Sequence, residues 1–288
     1  MHLSRFFKKW FPLFVGPTLL AFLLAFVVPF VLGVVLSFCK FTTITNAKWI
    51  GVGNYVRAFT ETGQGGDVTF VSALWFTLRF TLVSIVSVNV LAFLLALALT
   101  QALKGTNWFR TVFFMPNLIG GIVLGWIWQL IFNGILASSG QTLVSDPAYG
   151  FWGLVVMTNW QMIGYMMVIY IAGLQSLPSD VLEAAQIDGS GTLSTLFRIK
   201  LPLVVPSITI CTFLTMASSF KLFDQNLALT NGAPGTQTQM LALDIFNTFY
   251  RASGYEGVGQ AKAVVFFVMV GLVALVQLRL SRAREVES

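Results

Sequence analysis

The sequence predicts an all-α membrane protein that crosses the bilayer six times. Charged residues make up only 10% of the 288 residues and hydrophobic residues make up 56%. A soluble globular domain has about 25% charged residues, so this chain has too little charge to cover a surface that faces water. The mean hydropathy of +0.81 agrees. The third observation is a set of six apolar runs, each long enough for the ~20 residues that a helix needs to cross a bilayer.

The six runs stay apolar around the whole helix rather than along one stripe, which is typical of spans and not of soluble core helices. The first run follows a basic N-terminal stretch, as in a signal peptide. It is much longer than the ~7–15 apolar residues of a cleavable segment, so we predict a retained span. The predicted spans are residues 12–38, 72–103, 111–132, 151–174, 203–223 and 261–280.

The distribution of basic residues predicts the orientation. Lys and Arg are modestly more frequent on the side that holds both termini, and the loop 133–150 on the other side has none. Because cytoplasmic loops carry the excess of Lys and Arg, we predict that both termini are cytoplasmic. The net charge of +6 is spread singly or in small groups at the ends of apolar runs, which argues against nucleic-acid binding.

Composition excludes several kinds of chemistry. The one histidine is His2, which rules out a histidine-based catalytic or zinc site and makes an intramembrane enzyme the weakest interpretation. Cys39 and Cys211 lie in or beside apolar segments, so we predict buried thiols rather than a disulfide. No Gly-Lys dipeptide occurs, so the chain lacks the phosphate-binding loop G-x-x-x-x-G-K-[ST] and does not hold ATP by that mechanism.

The most polar long connection is residues 175–202, between predicted spans four and five. Ser179 or Asp180 is predicted to cap a helix of about two turns, and Asp180 with Glu183 has the spacing of a capping box. Gly189 supplies a positive-φ stop. A helix this short is marginal alone, so we expect it to lie against another surface.

The chemistry of this helix suggests a partner. Ala184 and Ala185 are small enough for a partner backbone to approach closely, while Glu183 and Asp188 offer charged contacts. Pro202 lies early in the next span, where a proline costs few helical hydrogen bonds and fixes the angle of the chain. We therefore expect a rigid polar foot joined stiffly to a transmembrane helix.

Polar and aromatic residues inside the predicted spans mark a candidate passage for a solute, because polar groups in a membrane are costly unless they are paired or face a cavity. For any single residue, helix packing or an interfacial aromatic belt stays open as the alternative. Lys221 and Asp224, spaced i, i+3, can also simply pair. The predicted path residues are Asn159, Trp160, Gln161, Tyr165, Ser218, Ser219, Asp224 and Gln225, with Asn89, Trp126, Trp128, Gln129 and Thr215 as further candidates.

The connection also carries a recognisable spacing: Glu183-Ala184-Ala185, three residues, Gly189, nine residues, then Ile199-x-Leu201-Pro202. This pattern resembles the EAA loop in the permease subunits of ATP-binding-cassette importers. Asp188 and Phe197 make it more similar to the carbohydrate-uptake branch, and Ser190 is a small departure from the alanine of many members. The resemblance covers nearly the whole chain, through WIGVGNY at 49–55 and the segments 109–134 and 223–250.

The resemblance implies an importer permease fold, with residues 1–288 as one permease domain in a bacterial or archaeal cytoplasmic membrane. It implies that the loop 175–202 is cytoplasmic and docks into a separate ATPase. It also implies a second homologous permease, two ATPase copies that hold ATP and Mg, and an extracytoplasmic sugar-binding protein. No cofactor and no nucleic acid would bind this chain. The implied ATPase-coupling residues are Glu183, Ala184, Ala185, Asp188, Gly189, Ile199, Leu201 and Pro202.

These observations predict the permease subunit of an ATP-driven importer that moves a sugar or oligosaccharide by alternating access. A permease for another solute, such as glycerol phosphate, stays open. Phosphate favours a cluster of basic residues in the path. The predicted spans hold Arg79 and Lys221, and Lys262 and Arg279 lie at the two ends of the sixth span, so the four are scattered and form no cluster along the sequence. An ion-coupled secondary transporter acting alone is a further alternative, but it needs intramembrane acids, and Asp224 is the one plausible candidate.

Overall fold

A computed structural model describes residues 2–61, 69–101 and 104–282, almost all of which are helical or lie in short connections between helices. One two-stranded antiparallel hairpin pairs β1 with β2. The elements are α1 His2–Phe22, α2 Val28–Leu36, β1 Cys39–Lys40, β2 Lys48–Trp49, α3 Gly53–Thr60, α4 Thr69–Leu99, α5 Thr106–Phe114, α6 Gly121–Leu136, α7 Pro147–Gln175, α8 Ser179–Ile187, α9 Thr192–Thr195, α10 Leu201–Leu203, α11 Val205–Phe220, α12 Asp224–Leu229, α13 Leu241–Tyr250 and α14 Glu256–Arg282.

The all-α membrane class is confirmed. Among the described residues, five helical segments are long and apolar enough to cross a membrane, and a bent helix pair makes a sixth when it is counted as one span. The end predicted for the second span, Leu103, lies outside the described residues, and α4 ends at Leu99. The five segments are Leu13–Leu36, Thr69–Leu99, Gly121–Ser139, Pro147–Gln175 and Glu256–Gln277.

The prediction that residues 111–132 form one continuous helix is wrong. Helix α5 ends at Phe114, a 3-10 turn follows over Met115–Leu118, and α6 begins only at Gly121. Pro116 has no N–H to donate to the preceding turn, and Ile119 and Gly120 are extended. The break leaves backbone carbonyls that side chains from other helices can reach.

The fifth predicted span is also broken. The segments Thr192–Leu203 and Val205–Phe220 are bent by 69°, and a π-helical turn over Leu196–Lys200 precedes the bend. Pro202 and Pro206 remove two donors from this stretch, which weakens the helix on both sides of Val204. The foot therefore joins the span through a bend, in keeping with prolines that fix the angle of the chain, and the stiffness of this join stays a prediction.

The chain divides into two compact units, Met1–Glu61 with Ile245–Phe267, and Thr62–Asp244 with Val268–Ser288. In the first unit, Asn54 donates through Nδ2 to the carbonyls of Ser37 and Cys39, at 2.9 and 2.8 Å. The Tyr55 hydroxyl lies 2.7 Å from Ser37 Oγ. The asparagine and tyrosine of WIGVGNY therefore fasten α3 to the end of α2.

The second unit is built around α4 and α7, which run side by side. The rings of Phe76 and Phe80 on α4 form T-shaped contacts with the Phe151 ring on α7, with centroids 5.7 and 6.5 Å from its centroid. Helix α7 begins where the Asp146 side chain accepts a hydrogen bond from the Ala148 N–H at 2.7 Å, as expected of an aspartate N-cap followed by proline. The cysteine prediction is confirmed, since both thiols are buried and free.

Candidate functional site

Two amide side chains meet at the break in the third span. Gln161 on α7 donates through Nε2 to the Ile119 carbonyl at 3.2 Å, and its Oε1 accepts from Gln225 Nε2 on α12 at 3.0 Å. Gln161 is buried and Gln225 is half-buried. The predicted path residues Gln161 and Gln225 therefore lie together, although they come from distant parts of the chain.

A glycine face on α6 makes this meeting possible. A Cβ added to Gly121 would lie 2.8 Å from Asp224 Cβ, and one added to Gly125 would lie 2.6 Å from Ala228 Cβ. One turn further, Gln129 Nε2 donates to the Leu229 carbonyl at 2.9 Å. Small residues at this spacing allow helices to approach closely in membranes. The sequence carries this signal as Gly121-x-x-x-Gly125, which hydropathy alone does not register.

The other predicted path residues are dispersed. Asn159 lies between α7 and α4, where Nδ2 donates to Ser87 Oγ at 2.9 Å and to the Val155 carbonyl at 2.7 Å. Trp160 is 44% exposed and forms a T-shaped contact with the Trp128 ring, with the ring centroids 5.7 Å apart. Tyr165 packs against Phe114. Ser218 and Asp224 are exposed, whereas Ser219 is buried.

Asn89, a further candidate, holds three helices together. Tyr170 on α7 donates its hydroxyl to Asn89 Oδ1 at 2.7 Å. Asn89 Nδ2 in turn donates to the Ile85 carbonyl at 2.7 Å and to Thr215 Oγ1 on α11 at 3.4 Å. With these bonds formed, Asn89 serves helix packing in this conformation.

Several buried polar atoms on α4, α7 and α11 have no hydrogen-bond partner among the described residues. Such groups are uncommon in folded proteins and are costly at membrane depth. They give the interior of the second unit a polar character that is unusual for a protein core. The atoms are Thr81 Oγ1, Ser84 Oγ, Thr158 Oγ1, Asn159 Oδ1 and Ser219 Oγ.

The short polar helix predicted in the connection 175–202 is confirmed as α8, Ser179–Ile187. Gly189 has φ +72°. Its N–H donates to the Gln186 carbonyl at 3.1 Å, and the Ser190 N–H donates to the Ala185 carbonyl at 2.9 Å. This pair of bonds is a Schellman motif, which a glycine in the left-handed conformation permits.

The predicted N-terminal cap of α8 is wrong. The cap position is Pro178, with no side-chain hydrogen bond to the helix, and the Ser179 hydroxyl donates to Asp180 Oδ1 instead. Glu183 therefore has no capping box to complete. The C-terminal stop, rather than the start, defines this helix.

Exposure divides the predicted coupling residues. Ala185 is 6% exposed and packs within its own chain, so Ala184 is the alanine of this pair that lies on the exposed face. Ile187 is 86% exposed, although it was not among the predicted coupling residues. Glu183, Ala184, Asp188, Gly189 and Pro202 are exposed, while Ile199 and Leu201 are half-buried.

Comparison with protein families identifies the family of this chain. The model of the family described as binding-protein-dependent transport system inner membrane component matches residues 89–285. The chain belongs to this family. As a family member it is a multi-pass transport subunit and not an enzyme.

Two relatives align with most of this chain. The probable starch degradation products transport system permease protein of Thermoanaerobacterium thermosulfurigenes is 40% identical over 99% of this chain and 98% of that protein. The multiple sugar-binding transport system permease protein of Streptococcus mutans is 32% identical over 88% of this chain and 89% of that protein. Both names describe permease proteins of transport systems.

A solved structure has the same fold. A crystal structure of a bacterial ABC transporter involved in the import of the acidic polysaccharide alginate aligns with a TM-score of 0.80 at 20% identity, covering 98% of this chain and 99% of the other. The importer permease fold predicted from the sequence is therefore confirmed.

Proposed function

We propose that this chain is the permease subunit of an ATP-driven, binding-protein-dependent importer that moves a sugar or oligosaccharide by alternating access. The observation that carries the proposal is α8, a short helix with a fixed end whose Ile187 side chain is 86% exposed. An apolar side chain exposed to this degree at the tip of a polar helix suits a docking contact. The starch-product and multiple-sugar systems of the two relatives support the class of solute.

In this proposal α8 docks on a separate ATPase, which holds ATP and Mg, and this chain binds no cofactor. Glu183 and Asp188 form the charged part of the docking surface, Ala184 lets the partner approach closely, and Gly189 fixes the end of the helix. Ala185 supports α8 from inside. Family membership favours this arrangement over a lone ion-coupled transporter.

Movement of α8 reaches the spans through the bent segment Ile199–Pro202 that precedes α11. At the bend, a Cβ on Gly173 of α7 would lie 3.0 Å from Ser207 Cβ and 3.9 Å from Val204 Cγ1. This close crossing supports a pivot between α7 and α11, so that a displacement of α8 rotates α11 instead of pushing it along its axis.

The solute path that we propose passes the break in the third span. Amides and aromatic rings suit the hydroxyl groups and apolar faces of a sugar. Gln161, Gln225 and Asp224 supply polar groups near Gly121, and Trp160 with Trp128 supplies rings. The proposed path residues are Asn159, Trp160, Gln161, Tyr165, Ser218, Ser219, Asp224 and Gln225.

The assembly that we propose has this chain and a second homologous permease, two ATPase copies and an extracytoplasmic sugar-binding protein. Residues 1–288 act as one permease domain in a bacterial or archaeal cytoplasmic membrane, with both termini in the cytoplasm. Exposed apolar side chains on α6, such as Leu130 and Ile135, offer surface to lipid or to the second permease.

Uptake by the purified assembly in proteoliposomes tests the function. We expect labelled maltooligosaccharides to enter only when ATP reaches the ATPase and the binding protein is present. Glycerol 3-phosphate serves as the competing solute. Uptake driven by an ion gradient through this chain alone, or transport of glycerol phosphate without any sugar, would contradict the proposal.

A further inference from the structure

A cavity of about 560 Å³ lies beside the first turns of α7, away from the Gln161–Gln225 contact. Its size falls within the range of about 300–1,000 Å³ that ligand sites occupy. Arg79 and Phe76 of α4, Asp146 and Trp152 at the start of α7, and Gln237 contribute to its wall. The proposed sugar path uses none of these five residues.

Two opposite charges face this cavity without pairing. Arg79 donates through Nε to the Trp75 carbonyl at 3.4 Å, and its terminal nitrogens form no hydrogen bond or ion pair with a described residue. Asp146 uses Oδ1 to cap Ala148, and its Oδ2 forms no bond with a described residue. A ligand that fits both groups carries both an anion and a cation.

The surroundings of the cavity are those of a membrane interface. Trp75 and Trp152 are exposed beside the two charges, and tryptophan is enriched at the level of lipid headgroups. One to two turns deeper along the helices, Leu82 and Val86 on α4 and Val156 on α7 are exposed. The charged cavity therefore opens onto an apolar surface that extends along two predicted spans.

We propose that this cavity binds the headgroup of a zwitterionic phospholipid, phosphatidylethanolamine. The phosphodiester pairs with the Arg79 guanidinium, which matches phosphate oxygens in geometry and charge. The primary ammonium donates to the free oxygen of Asp146, and the acyl chains lie over Leu82, Val86 and Val156. The leaflet is the one on the side of the α7 N-terminus, which is the outer leaflet in the orientation proposed above.

The charges favour this lipid over others. An anionic glycerol headgroup satisfies Arg79 but leaves the Asp146 carboxylate facing like charge. A glycolipid without phosphate leaves the guanidinium without an anion in a largely apolar setting, which is unfavourable. The two charges together thus select a headgroup that has both phosphate and ammonium.

Lipid binding to the assembled, full-length transporter tests the proposal by native mass spectrometry during titration with defined lipids. The probes are phosphatidylethanolamine, phosphatidylglycerol and a diglucosyl diacylglycerol, with inorganic phosphate as a soluble competitor. The variants are Arg79→Gln and Asp146→Ser, because serine keeps the N-cap of α7 but removes the carboxylate. Lys48→Gln removes one exposed charge outside the cavity and is the matched control.

We expect the wild-type protein to bind phosphatidylethanolamine more tightly than the other lipids. Arg79→Gln should lower the affinity for both phospholipids about tenfold, as for loss of one charge-assisted contact. Asp146→Ser abolishes the preference for phosphatidylethanolamine over phosphatidylglycerol, and Lys48→Gln changes neither affinity. Assembly of each variant is checked by size-exclusion chromatography.

Three results would overturn the assignment. They are unchanged phosphatidylethanolamine affinity in assembled Arg79→Gln, equal affinity for the glycolipid, and displacement of the lipid by inorganic phosphate alone. The last result would assign the cavity to free phosphate. A crosslink from Leu82→Cys to a second permease subunit would show that a protein covers this cavity. That result would contradict a lipid occupant as well.

Discussion

Gln161 accepts a hydrogen bond from Gln225 at 3.0 Å across a sequence separation of 64 residues. The same Gln161 side chain donates to the Ile119 carbonyl, which the break in the third span leaves without a helical partner. One amide thus joins α7 to α12 and to the start of α6. This link lies at the centre of the proposed path, so disturbing it should affect solute handling before it affects folding.

Replacing Gln161 or Gln225 with leucine should raise the KM for sugar uptake several-fold, because each change removes one partner of a shared hydrogen bond. The double variant should be little worse than either single variant, as expected for residues that act together. Gln141→Leu, in an exposed loop, is the control. Additive losses in the double variant would show that the two amides act independently.

Gly125→Ala should cut uptake strongly and lower the thermal stability of the subunit. The new methyl group would sit 2.6 Å from Ala228 Cβ, and such overpacking costs about 1–3 kcal/mol. Gly134→Ala on the same helix has no atom within 4 Å of the added carbon and should behave as wild type. Equal melting temperatures for the two variants in detergent would contradict the close approach of α6 and α12.

Tyr170→Phe should destabilise the second unit by about 0.5–2 kcal/mol, since Asn89 Oδ1 loses its donor inside the helix bundle. Tyr149→Phe is a matched control, because that tyrosine is exposed at the start of α7. Unfolding of the purified protein in detergent, followed by tryptophan fluorescence, measures the difference. An unchanged unfolding midpoint for Tyr170→Phe would show that the Tyr170–Asn89 hydrogen bond does not stabilise helix packing.

Gly189→Ser should uncouple ATP hydrolysis from uptake while the protein still inserts. Serine at φ +72° carries a penalty of about 1–2 kcal/mol, which loosens the Schellman end of α8. Gly191→Ser is the control, because φ at Gly191 is −69° and its surroundings are open. Wild-type coupling in Gly189→Ser would show that the fixed helix end is dispensable.

The sequence was informative where one local property determined the structure. Hydropathy over long windows located the membrane helices, and a glycine after an amphipathic turn located the end of α8. The start of α8 was predicted less well because several polar residues compete at a helix N-terminus. The actual cap, Pro178, satisfies none of the free N–H groups.

Interior breaks were missed because hydropathy does not register them. Pro116 and Gly120 interrupt the third span, and the stretch from Pro202 to Pro206 bends the fifth, yet both segments are predominantly apolar. The burial of Ala185 and the pairing of Gln161 with Gln225 depend on tertiary contacts between remote segments. No local pattern specifies such contacts, although the glycine spacing in α6 hinted at one of them.

A site-specific crosslink from Ile187→Cys in the native membrane assembly tests whether α8 docks on a separate ATPase. We expect an adduct between α8 and the ATPase whose yield changes when nucleotide is added. Ile44→Cys, 70% exposed in the connection between β1 and β2, should give no such adduct, because the proposed orientation puts it on the other side of the membrane. An actively transporting assembly in which Ile187→Cys never reaches the ATPase, or Ile44→Cys does, would contradict the account.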